Sequence, residues 1–221
     1  MTSRALERVY VWEIPVRLFH TITVACIVTL TVTGLILGRA WSLANAAEAW
    51  SSFWFGWVRF LHFAAAYILV FNLVFRIYWA FVGNRHARWR EFIPVTREQW
   101  RKVWRALRVN LWLEPWPRTP AIGHNPLQGL AYLGVVVLMA IQMVLGFGLY
   151  GAMSEGWLPR LFTWVVPLMG GDMAVRQWHH LTLWIFVVFL ILHVYLVFLN
   201  NRQARQGLFL SILTGWKIKR D

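Results

Sequence analysis

The chain has 221 residues, of which 59% are hydrophobic and only 14% charged. A soluble domain carries about 25% charged residues, so this composition excludes an ordinary water-soluble protein. The net charge of +13 would suit a nucleic-acid binder, but the basic residues gather in three segments that flank apolar runs: three in 1–17, nine in 84–126 and five in 201–221.

The first long uncharged run, Leu18 to Gly38, predicts a membrane span over 18–39, because a span needs about 20 apolar residues. It is too long for a cleavable signal peptide and lacks a small-residue cleavage site. The lone cysteine, Cys26, lies inside it. One cysteine forms no intrachain disulfide and no iron–sulfur cluster, which typically takes four thiolates. We read it as a small core residue.

A second run, Phe60 to Phe75 continuing past Arg76 to Gly83, predicts a span over 56–82. The basic loop that follows contains "TREQWRKVWRALRV", residues 96–109, in which Thr96 and Gln99 have capping-box spacing. Trp100, Val103, Trp104 and Leu107 fall on one face, with arginines and a lysine on most of the rest. This pattern predicts an amphipathic helix lying in the lipid headgroups. Uncharged runs over 119–154 and 177–201 predict two further spans, 127–150 and 177–200. Between them "WLPRLFTWVVPLMGGD", residues 157–172, is apolar but broken by prolines and glycines, and is expected to lie along the outer surface.

With four spans, all three basic segments fall on one side, and lysine- and arginine-rich flanks stay cytoplasmic. Loops 40–55 and 151–175 are then outside. The expected architecture is all-α: a single integral-membrane domain over 1–221, a four-helix bundle with both termini cytoplasmic, plus a cytoplasmic interfacial helix. The basic charge reads as topology with attraction to anionic lipid, and no nucleic-acid partner is expected. Tryptophans at 41, 50, 54 and 57 and at 89, 100, 104, 112 and 116 suit aromatic belts.

Five of the seven histidines lie in or at the ends of spans: His20, His62, His179, His180 and His193. Polar groups at that depth need partners. A helix turns about 100° per residue, so His179 and His193, fourteen apart, share a face, whereas His180 lands on another. At about 1.5 Å per residue the pair spans roughly 21 Å. Matching depths pairs His62 with His179 near the outer surface and His20 with His193 near the inner one. Zinc fits poorly, since a structural site wants four protein ligands and the spans offer no acids to complete one. Haem iron needs only two protein ligands, and helical bundles hold cofactors between facing helices. Two haems are therefore expected.

Arg17, Arg59 and Arg176 each precede a histidine by three, in "RLFH", "RFLH" and "RQWH". Residues three apart share a face, and arginine suits the carboxylates of haem propionates. Arg76 lies deeper and is read as a contact for the inner haem's propionates or for a quinone headgroup. No nucleophile–base set, phosphate loop or cysteine-rich motif is present, so no catalytic residues are assigned.

The segments "VYVWEIPVRLFH", "VTGLILG", "VRFLHFAAAYI", "RIYWAFVGNRHAR", "IGHNPL", "GFGLYG", "WHHLTLW" and "ILTGWKIK" span 9–219. Through them the chain resembles the b-type cytochrome subunit of membrane-bound nickel–iron uptake hydrogenases. The resemblance implies haem b held by His20, His62, His179 and His193. It also implies hydrogenase small and large subunits docked on the periplasmic face of a bacterial inner membrane. Electrons would pass from iron–sulfur clusters through haem to menaquinone or ubiquinone. The chain itself would be an electron-transfer subunit rather than an enzyme. His124 in "IGHNPL" matches a family motif and is read as a quinone or proton-uptake residue, or as part of the loop's structure. His86 is read as a solvated surface residue. Rival readings are a formate dehydrogenase or thiosulfate reductase cytochrome, a stand-alone b561-type cytochrome, and a histidine-lined transporter.

Overall fold

The computed structural model describes residues 7–39, 53–111, 114–115, 126–204 and 207–219. Strand β1 (Glu7–Tyr10) leads into helix α1 (Ile14–Arg39), and helix α2 (Trp54–Val82) follows. After a 3₁₀ turn at Trp89–Glu91 come α3 (Arg97–Asn110), α4 (Pro126–Gly151), α5 (Trp157–Arg160) and α6 (Val165–Leu168). The chain closes with α7 (Asp172–Ala204), α8 (Leu208–Thr214) and strand β2 (Trp216–Lys219).

Helices α1, α2, α4 and α7 are long and apolar enough to cross a membrane, and each covers one expected span. The largest difference is at α7, which begins at Asp172 rather than 177. Asp172 sits in its first turn and takes the Arg176 guanidinium four residues on, at 2.7 Å. A carboxylate there suits the positive end of the helix dipole, so a charge that looked like loop belongs to the helix. The outward faces are apolar: Leu18, Val28 and Val32 on α1, Phe71 on α2, and Ile185, Val188 and Ile191 on α7 are all exposed. Such surface is costly in water and inexpensive against lipid tails.

The chain divides into two compact units. One comprises Thr21–Val74 and Leu138–Phe189. In it, segments of all four long helices pack together through Asn72–Thr23, Thr33–His62 and Gln142–His179 contacts and through Phe63–Tyr150 and Tyr67–Phe147 ring pairs. The apolar loop after α4 does more here than lie on a surface. Its two single-turn helices bury Val165 in a cluster with Leu145 of α4 and Val175 of α7. Prolines and glycines limit the turns to four residues each, and this hid their packing role from the hydropathy pattern.

The other unit comprises Met1–His20, Phe75–Val137 and Leu190–Asp221. Here the chain ends meet: β1 pairs antiparallel with β2, Tyr10 opposite Trp216. Gly215 accepts from the Val11 and Trp12 amides. Its φ of +89° and the closeness of the Trp12 carbonyl to any added Cβ explain why glycine stands there. Trp12 donates from Nε1 to Ser211 Oγ at 3.2 Å, and Lys217 Nζ lies 4.9 Å over the Trp12 ring. Glu13 accepts from Trp79 Nε1 and from the Asn84 amide. Asn84 in turn donates to the Val11 carbonyl. Together these bonds clasp the start of α1, the end of α2 and the C-terminal segment.

Helix α3 matches the expected amphipathic helix. Thr96 Oγ1 accepts from the Gln99 amide while Gln99 Oε1 accepts from the Thr96 amide, a complete capping box. Val103 is buried, but Trp100 and Trp104 are exposed.

Candidate haem site

Helix α2 carries His62 and α7 carries His179, and their ring centroids lie 6.5 Å apart with the planes at 70°. In the other unit His20 of α1 faces His193 of α7, again with centroids 6.5 Å apart. Metal–imidazole bonds run about 2.0–2.1 Å and a ring centroid lies roughly 1.1 Å behind its nitrogen, so two imidazoles across one metal ion put their centroids roughly 6.3 Å apart. Both pairs have that separation. Among the described residues no group of three or more His, Cys, Asp or Glu side chains gathers as a metal cluster. Each pair therefore offers two ligands only.

The His62–His179 pair opens on a cavity of about 290 Å³. A single water needs only about 10–15 Å³ and two to four polar partners. This space is instead lined mostly by apolar side chains, among them Ile27, Leu37, Phe63, Leu69, Phe147 and Phe186. It suits a large apolar ligand better than solvent.

Thr33 sets the chemistry of His62. Its hydroxyl donates its one proton to the Thr29 carbonyl at 2.6 Å, and its oxygen lies 2.8 Å from His62 Nδ1. That oxygen must therefore accept from Nδ1–H. The hydrogen bond fixes the tautomer and leaves the lone pair on Nε2, the form in which imidazole binds a metal. Opposite, His179 Nδ1 is buried with no hydrogen-bond partner, as is Gln142 Oε1. Gln142 Nε2 donates to the His179 carbonyl at 3.2 Å. The same Gln142 Nε2 lies 3.4 Å from His179 Nε2.

Two glycines keep the rings clear. A Cβ on Gly34 would come within 3.4 Å of His62 Cε1, and one on Gly146 within 3.1 Å of His179 Cε1. Two imidazoles at a metal-bridging separation, an apolar slot and glycines beside the rings together fit a haem.

The arginines divide. Arg59 and Arg176 both line the cavity; Arg176 also holds Asp172, whereas Arg59 has no ion-pair partner among the described residues. Arg17 Nε is committed to the Ile212 carbonyl at 3.1 Å. Arg76 is buried among Phe19, Phe92 and Tyr132.

His180, assigned to a different face, nevertheless lines the same cavity, with its ring against Gly38. Its Nδ1 is bonded to the carbonyl of Arg176, one turn back, at 2.9 Å. The one-residue step turns it from His179 but not out of the slot. His86 is half-buried, its Nε2 accepting from Arg85. His124 lies outside the described residues.

Thr33, Gly34, Gln142 and Gly146 were missed by a search for charges and histidines. Their signals were present: a glycine in each of two family segments, and a lone amide inside an otherwise apolar run.

The family described as prokaryotic cytochrome b561 matches residues 11–215. The chain belongs to that family. A probable Ni/Fe-hydrogenase B-type cytochrome subunit of Azotobacter vinelandii is 43% identical over 99% of this chain and 92% of its own length. The protein of that description from Cupriavidus necator is 38% identical over 100% and 91%. A probable Ni/Fe-hydrogenase 1 B-type cytochrome subunit of Escherichia coli K12 is 34% identical over 94% and 90%. Membership makes the chain a b-type cytochrome, and with four apolar helices a multi-pass protein of the bacterial inner membrane.

Proposed function

We propose that this chain is the haem b subunit of a Ni/Fe-hydrogenase, carrying electrons from the hydrogenase small subunit to the quinone pool. In this reading His62 and His179 would hold one haem and His20 and His193 a second. The observation that carries it is the 6.5 Å ring separation found twice. The full-length relatives whose names pair them with Ni/Fe-hydrogenase support the partner.

Haem b, when bound, supplies a one-electron couple. The chain's own groups do the rest. Thr33 holds His62 in the metal-binding tautomer. Apolar side chains keep water from the slot, and Arg59 and Arg176 set positive charge at one end of it. The basic loop with α3 and both termini face the cytoplasm by the positive-inside rule. The loops between α1 and α2 and between α4 and α7 face the periplasm, where the hydrogenase docks. Helix α3 rests in the headgroups with Trp100 and Trp104 down.

The test is purification of the chain with its partner. Hydrogen should reduce haem in the complex, and added menaquinone or ubiquinone analogue should reoxidise it. Co-purification with a formate dehydrogenase or thiosulfate reductase instead would keep the haems and change the donor. A chain that reduces quinone from a small-molecule donor without any partner would overturn the subunit reading.

A further inference from the structure

Arg76 is a buried cation inside a membrane span, with no ion-pair partner among the described residues. It lies within Trp54–Val82 and is only 3% exposed. The guanidinium carbon sits 5.7 Å, 5.3 Å and 5.1 Å from the ring centroids of Phe19, Phe92 and Tyr132. Nη2 donates to the Ala87 carbonyl at 3.2 Å. Nε and Nη1 are buried with no partner. Guanidinium stays protonated in proteins, so the charge cannot be removed by deprotonation. Ring faces attract a cation and Tyr132 adds a side-chain hydrogen bond, but two guanidinium nitrogens stay without one, and a buried charge lacking a counter-ion is strongly unfavourable.

The spans hold one acid, Asp172, and it is paired with Arg176. Among the described residues no carboxylate pairs with Arg76, and a ligand carboxylate would supply the counter-charge. Phe19, one of the three caging rings, is followed directly by His20, whose ring faces His193. A neutral quinone oxygen would accept a hydrogen bond but would leave the resting charge unbalanced.

We infer that Arg76 is the counter-ion site for a carboxylate of the haem held by His20 and His193. This rests on the haem reading above. Arg76 acts here as a binding residue whose positive charge also favours the reduced, more negative haem.

The experiment uses the full chain in lipid nanodiscs, in a His62→Ala background that leaves one haem to observe. Midpoint potential and redox-difference infrared spectra, with carbon-13 in the haem carboxylates, are compared for that parent, R76Q and R76K. R76Q should lower the potential and shift the labelled carboxylate band, while R76K should retain most of both signals. Should both variants fail to fold, the labelled band in the parent still decides, since a carboxylate bound to guanidinium differs in frequency from a solvated one. Unchanged potential and band in R76Q would overturn the inference. So would an effect confined to binding of a quinone analogue. A parent without haem would instead refute the His20–His193 reading itself.

Discussion

The two imidazole pairs have the same ring separation but different surroundings. His62 and His179 sit in a walled cavity with a hydrogen bond that fixes one ring and glycines that clear space for both. His20 and His193 belong to the unit where the termini are clasped, and His193 is exposed. Close packing at the first pair orients the ligands directly. At the second, ligand position depends on the clasp of strand pairing and on Glu13 and Asn84, with Arg76 supplying charge. Equal ring separation can thus be supported by local packing in one place and by the meeting of distant chain segments in another.

The sharpest way to break the comparison is at the ligands. His179→Ala should remove one of two haems outright, whereas His180→Ala should leave both, because the ring paired with His62 at 6.5 Å is that of His179. Pyridine haemochrome content per chain reads this. Loss of a haem in His180→Ala would mean that the cavity uses the other ring.

Filling the cavity comes next. Gly146→Val places carbon against His179, and displacing a ligand or its support typically costs about 10–100-fold in metal affinity. Haem retention through detergent washing should fall for the His62–His179 site alone. Equal loss at both sites would point to general misfolding.

A smaller change tests the hydrogen-bond relay. Thr33→Val removes the acceptor for His62 Nδ1–H, weakens the ligand as a donor and disfavours ferric iron. The potential of that haem should rise by roughly 40 mV, the one-electron equivalent of about 1 kcal/mol. Thr33→Ser should restore it. No shift in redox titration would remove Thr33 from the account.

The clasp should respond weakly. Trp12→Phe loses the bond to Ser211 and should cost about 1 kcal/mol, seen as earlier proteolysis of the terminal segments with haem content retained. The smallest effect is electrostatic. Burial pushes the Lys217 ammonium down from 10.5 to about 8. Between those values the folded chain has released a proton that the unfolded chain still holds, so stability rises with pH across that window. Lys217→Met should flatten the rise in melting temperature.

Much of this was legible in the sequence because a bilayer imposes strong rules. Four uncharged runs marked α1, α2, α4 and α7, and fourteen-residue spacing put His179 and His193 on one face. Thr96 and Gln99 marked the start of α3. What escaped were features set by tertiary contact. The bond from Arg17 to Ile212 could not be read from spacing, because its acceptor lies nearly 200 residues on. Thr33 gained meaning only when α2 brought His62 beside it. The burial of Val165 depended on how a proline-broken loop folds back on α4 and α7. Periodicity reports one helix at a time, and these contacts join several.

The central claim is that two histidine pairs each hold one haem. Haem per chain, with redox-resolved visible spectra of His20→Ala, His62→Ala, His179→Ala and His193→Ala, tests it most directly. The account predicts two haems in the wild type, loss of the same one in His62→Ala and His179→Ala, and loss of the other in His20→Ala and His193→Ala. Two haems surviving all four substitutions, or losses grouped in different pairs, would contradict it.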